Sequence, residues 1–277
     1  MTNLSPSWHD LQYLPSLTVK DAASVAPGWR RRAALAREKH QPFGDFKYGP
    51  HPRESIDLFR VEGAKGCLVY VHGGYWRSFS KWETSFVATG FVEDGFSVAL
   101  INYPLCPDVT IADIRHSVQR AFAHLWLELL TPDEKRRIVV TGHSAGGHLA
   151  VLHMATDWPS FGPPQDPLAG VISLSGVFDV APLQHTSMNG DLRITDGNAA
   201  AINLTMAKPL CHCPLVLAVG GDESAEFHRQ SEAQAKAWAV LSPQLIDLPG
   251  FNHYTIVDSL ADRAGVLHSL ATEMLRG

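Results

Sequence analysis

Short β-branched and apolar runs alternate along the chain with longer stretches whose apolar residues recur every three or four positions. Ser55–Val61, Cys67–Val71, Ser97–Tyr103, Arg137–Thr141, Gly170–Leu174, Leu215–Gly220 and Gln244–Leu248 read as strands. Several are apolar almost throughout, as strands covered on both faces are. Between them, Ile111, Ile114, Val118, Ala121, Phe122, Leu125 and Leu129 step by three and four, which predicts a helix over Ile111–Leu130 with one buried stripe. Ala145–Thr156, Ser224–Leu241 and Thr255–Leu275 read the same way. Such alternation builds an α/β fold, a mostly parallel central sheet with helices on both faces.

Two segments break the rhythm. Residues 1–54 carry polar and aromatic positions with helical stretches and read as an amino-terminal extension laid over the sheet. Residues 176–213 are longer than a crossover helix requires, and an insertion there would act as a lid or cap. Neither is long enough for a separate domain, so 1–277 reads as one domain. Its 277 residues, 45% hydrophobic with a net charge of −5, supply a substantial core and exclude disorder.

That slightly acidic balance argues against nucleic acid, which needs a concentrated basic face. Arg30, Arg31, Arg32, Arg37 and Lys39 sit among alanines at helical spacing and read as a solvated helix face. No run of apolar residues is long enough to span a bilayer. Met1–Asp10 lacks the basic patch and apolar run of a secretory signal. Four cysteines are too few for a disulfide scaffold, so a reducing, cytoplasmic setting is expected. Cys67 and Cys106 read as buried thiols. The Cys211-His212-Cys213 triplet has neither zinc-knuckle spacing nor a second ligand pair, and no metal is expected there.

The chemistry concentrates at Gly142-His143-Ser144-Ala145-Gly146, a G-x-S-x-G between a buried strand and a helix. Flanking glycines permit a sharp turn that lifts the Ser144 hydroxyl clear of the sheet, with a helix N-terminus behind it. A hydroxyl needs a base, and the base needs an orienting group. After such an elbow the carboxylate precedes the histidine in chain order. Asp222 follows one strand and His253 another, both at carboxyl ends. Asp222 is therefore expected as the orienting carboxylate, with Glu223 and Asp247 as alternatives, and His253 as the base. His228 and His268 fall inside helices.

An oxyanion needs preorganised backbone donors. Cys67–Val71 runs into His72-Gly73-Gly74-Tyr75-Trp76, so Gly73, Gly74 and Ala145 are the expected donors. His72 is expected to pin this loop, and His143 and His148 to pack locally. Trp126 and Trp238 read as core. Tyr75, Trp76, Phe79 and Trp82 follow the loop closely and are expected to line a pocket for a flat substrate.

These motifs together resemble an α/β-hydrolase of the kynurenine formamidase (arylformamidase) branch, near the hormone-sensitive-lipase-like esterases. The resemblance rests on residues 72–76, 142–150 and 174–183, on Gly221-Asp222-Glu223-Ser224 with Glu226-Phe227, and on Asn252-His253-Tyr254, where the family more often has Phe last. Tyr48-Gly49 with Ile56–Phe59 resembles its opening strand. The likeness extends from about residue 45 onward. It implies hydrolysis of N-formyl-L-kynurenine to kynurenine and formate in tryptophan catabolism, through Ser144, Asp222 and His253, with no cofactor. A homodimer is also implied. The alternative is a carboxylesterase for short-chain or aryl esters, or an amidase for another aromatic amide.

Overall fold

A computed structural model describes residues 7–277; the first six positions of the Met1–Asp10 stretch and of the expected extension lie outside the described residues. Among the described residues, eight strands form one sheet: β1 (Phe43–Lys47), β2 (Ser55–Phe59), β3 (Cys67–Val71), β4 (Ser97–Ile101), β5 (Ile138–His143), β6 (Gly170–Leu174), β7 (Leu215–Gly220) and β8 (Gln244–Leu248). Their spatial order is β1-β2-β4-β3-β5-β6-β7-β8. Only the β1–β2 and β2–β4 pairings are antiparallel. From β4 to β8 every pair is parallel, so those carboxyl ends share one edge.

Side-chain alternation explains the two cores. Val69, Val71, Ile138 and Val140 face one apolar cluster with the helices Ile111–His124 and Ala145–Leu152. Leu68, Tyr70, Val139 and Ile172 face the other, under Ile256–Ala261 and Val266–Arg276. Strands β2 to β7 are buried along their whole length, which is why they read as near-continuous apolar runs.

Three expectations change. The mostly exposed edge strand β1 has no apolar run to announce it. The helix expected over Thr255–Leu275 is broken, because the Asp262 carboxylate accepts the Ala264 N–H at 2.9 Å and draws the chain into a turn. The basic helix Val25–His40 buries Trp29, Ala33 and Ala36, but one of its arginines turns inward.

That arginine joins a buried charge cluster. Asp57, in the middle of β2, accepts from Lys81 Nζ at 2.7 Å and from Arg37 Nη1 at 2.7 Å. The side chains of Lys81 and Asp57 are both fully buried. Lys81 also donates to Ser55 Oγ at 2.9 Å. The cluster joins the amino-terminal helix, the sheet and the short helix Lys81–Thr84 just after the His72–Phe79 loop. Removing Lys81 takes one of two cations from buried Asp57, whose carboxylate then relies on Arg37 for its ion pairing. Lys81→Met is therefore expected to lower the unfolding free energy by about 2–3 kcal/mol, read from urea denaturation. A loss under about 1 kcal/mol would mean the cluster is hydrated.

Candidate active site

Ser144 sits between β5 and the helix Ala145–Leu152 with φ 57° and ψ −120°, a conformation a serine adopts only under constraint. The constraint is contact. A Cβ on Gly146 would lie 2.1 Å from the Val71 carbonyl oxygen, and one on Gly73 would lie 3.2 Å from Ser144 Cβ. The two chain reversals after β3 and β5 thus pack backbone to backbone. Ser144 donates its N–H to the Leu174 oxygen at 2.8 Å, and Ala145 opens the helix with an N–H that has no partner within it.

The loop after β3 carries more strain than its glycines suggest. Gly74, Tyr75 and Trp76 have φ values of 101°, 49° and 55° in succession. Tyr103 Oη donates to the His72 carbonyl at 2.7 Å, and the Cys106 N–H donates to that of Trp76 at 2.8 Å. Arg53 Nη2 donates to the Phe79 carbonyl at 2.6 Å. His72 donates from Nδ1 to the Gly73 oxygen at 2.8 Å and stacks on Tyr103, so it braces the loop.

His253 is buried at the same edge, and its Nδ1–H donates to Glu223 Oε2 at 2.6 Å. The carboxylate on the imidazole is therefore Glu223, not Asp222. The Asp222 side chain sits in an exposed position, with its backbone N–H bound to the Phe251 oxygen. One residue on, the longer Glu223 side chain folds back over the end of β7. Its Oε1 accepts from the Gly220 N–H at 2.8 Å and from the Ser175 hydroxyl at 2.5 Å, which leaves Oε2 for His253. Asp247 is exposed. Phe227 packs on the His253 ring at 4.4 Å, and His143 Nε2–H donates to the His253 carbonyl at 2.6 Å.

A cavity of about 280 Å³ opens over Ser144 and His253, with Gly74, Tyr75, Phe79, His143 and Tyr254 along its wall. Two expected lining residues are elsewhere. Trp76 is fully buried in the core, edge-on to His148, because the loop turns it inward. Trp82 is exposed beneath the Arg37 guanidinium, 3.9 Å from its ring centroid. Other walls come from segments that carried no chemical signal: Leu14, Pro15 and Ser16 from the amino-terminal helices, Met188 from the 176–213 segment, and Arg77. Helix Trp8–Tyr13 is tied down where the Tyr75 hydroxyl donates to the Tyr13 carbonyl and the Ser187 N–H donates to Asp10 Oδ1 at 2.7 Å. His268 is packed between Leu260 and Asp94. Cys211 and Cys213 are buried, while His212 points outward.

An imidazole held by a carboxylate beside a constrained serine can accept a hydroxyl proton. The BD-FAE family model matches residues 57–206, which include the Gly73-Gly74 loop and Ser144 and stop short of Glu223 and His253. The chain is 28% identical to the kynurenine formamidase of Salmo salar over 98% of its own length and 94% of that protein. To the kynurenine formamidase of Danio rerio it is 28% identical, over 87% of this chain and 84% of that one. A crystal structure from Silicibacter sp. TM1040, described as a thioesterase, is 30% identical with a TM-score of 0.85, covering 94% of this chain and 97% of that one. Among the described residues no helix is long and apolar enough to cross a membrane.

Burial keeps the surrounding histidines neutral. Desolvation pushes His72 and His148 down to about 3 and His153 to about 4, and drives His143 well below 6.5 with help from the neighbouring His253. Unfolded, each has a pKa near 6.5. Below that pH the unfolded chain binds protons that the fold excludes, so stability falls as pH drops from about 6.5 toward 4. Urea denaturation across this range measures the slope. His153→Phe is expected to reduce it by about one proton, and an unchanged slope would show that His153 titrates alike in both states.

Proposed function

The chain belongs to the BD-FAE family, and from that premise we propose that it hydrolyses an N-formyl or other small N-acyl aryl amide, most favourably N-formyl-L-kynurenine. It is a hydrolase of the α/β-hydrolase fold. The proposed catalytic set is Ser144 as nucleophile, His253 as base and Glu223 as orienting carboxylate. The observation that carries this is the His253–Glu223 hydrogen bond beside a cavity that the constrained Ser144 also lines. Near-full-length similarity to two kynurenine formamidases supports the amide.

In this reading His253 takes the Ser144 proton as the hydroxyl oxygen attacks the formyl carbon. The oxyanion is received by backbone N–H groups of Gly73, Gly74 and Ala145. Protonated His253 then gives its proton to the departing nitrogen, leaving a formyl-enzyme. Water repeats the sequence and releases formate. An aryl amine leaves more readily than an alkyl amine, because its lone pair delocalises into the ring. We read the chain as one catalytic domain in which residues 1–54 and the 176–213 cap enclose the substrate. A cytoplasmic, cofactor-free homodimer in tryptophan catabolism completes the reading. The second reading, an esterase, is favoured by the 30% identity to the protein described as a thioesterase.

Steady-state kinetics with N-formyl-L-kynurenine, aryl acetates and thioesters separate the two readings. The amide reading expects the highest kcat/KM for the formamide; a preference for esters across the series reverses it. Ser144→Ala is expected to abolish turnover while keeping binding. Glu223→Gln should lower kcat by roughly 10³ to 10⁴, the scale set by amide-for-carboxylate replacement in serine proteases. Asp222→Asn should stay within about twofold, because its carboxylate is solvated. The opposite pattern would return the orienting role to Asp222.

A further inference from the structure

Among the described residues lining the cavity over Ser144, Arg77 is the one arginine or lysine. Leu14, Tyr75, Phe79, Met188 and Tyr254 line the same cavity and give it an apolar and aromatic character. Arg77 is fixed to the strained loop, because its N–H donates to the Gly74 carbonyl at 3.0 Å and closes a tight turn. A turn of that kind holds its first and last Cα atoms within about 7 Å. The guanidinium is thus carried by the loop that includes two of the proposed oxyanion donors, Gly73 and Gly74.

Arg77 already holds a carboxylate. Its Nη1 lies 3.2 Å from Asp191 Oδ2, an acid on the 176–213 segment, and the two side chains are 38% and 41% exposed. A half-exposed pair with one close contact is weak and readily exchanged. A guanidinium presents a fork that suits two-point binding of a carboxylate, and one contact to Asp191 leaves most of its donors available.

Resting on the amide-hydrolase reading above, we propose that Arg77 determines specificity by receiving a carboxylate borne on the leaving amine. The substrate class is then an N-acyl aryl amide with an anionic side chain, as in an aromatic amino acid. The acyl group reaches Ser144, the ring lies against Tyr75 and Phe79, and the carboxylate displaces Asp191 at the rim. Arg77 takes no proton and forms no bond to the reacting carbon.

The test compares N-formyl-L-kynurenine with the same molecule carrying a primary carboxamide in place of its carboxylate. The preference is the ratio of the two kcat/KM values within each enzyme. Arg77→Gln is expected to reduce that ratio about 10- to 100-fold, mainly through KM, the scale of a lost hydrogen bond to a charged group. Arg77→Lys should keep part of it, since charge survives and the fork does not. Asp191→Asn should lower KM for the anionic substrate about two- to fivefold. A rise in that KM overturns the exchange with Asp191.

Aryl acetates with the same pair of side chains run alongside. If the wild-type enzyme cleaves both formamides equally and Arg77→Gln leaves the ratio unchanged, Arg77 has no such role and the amide reading stands. If only the acetates turn over, the amide reading falls, and the acetate ratio decides whether Arg77 still selects for an anion.

Discussion

Two chain reversals packed backbone against backbone set the geometry of this protein. The turn after β5 presses on the end of β3 so closely that no side chain fits at Gly146, and Gly73 lies directly against Ser144. Neither reversal can relax without displacing the other. That mutual exclusion holds Ser144 in a backbone conformation it would not choose. It also brings the nucleophile candidate next to a loop of backbone N–H groups. The buried parallel strands supply the rigidity, because β3 is paired along its full length with β5.

The neighbouring strain is held in the same manner, by contacts reaching in from elsewhere in the chain. Tyr75 and Trp76 keep positive φ values because one side chain is anchored through its hydroxyl and the other is sunk in the core. Ser175, with φ 51°, donates its hydroxyl to Glu223. Arg53 and the Lys81–Asp57 pair grip the far end of the loop. Strained positions cluster at the carboxyl edge, where β4 to β8 end together, and the regular sheet below supports them.

Much of this was legible in the sequence because periodicity and glycine spacing report backbone needs directly. Seven of the strands, the elbow, the glycine loop and His253 followed from those signals. Choosing between Asp222 and Glu223 required knowing which of two adjacent side chains turns toward β6, and that depends on a partner 48 residues away, Ser175. The aromatic residues misled for a similar reason. Tyr75 and Trp76 are consecutive, yet one borders the cavity and the other fills the core, because positive φ values at both redirect their side chains. The walls from Leu14 to Ser16 and at Met188 carry no chemical signature. They are apolar residues whose placement is decided by tertiary docking.

That docking has a consequence for how the molecule can be divided. The groups proposed to carry out the reaction all lie between His72 and His253, whereas part of the chamber around them is made by helices near residue 14. A fragment beginning at β2 would retain every reacting group and yet present an open trough. The opening stretch thus supplies both part of the chamber wall and the anchor for Tyr75, so exchanging it would alter the enclosure and the strained loop together.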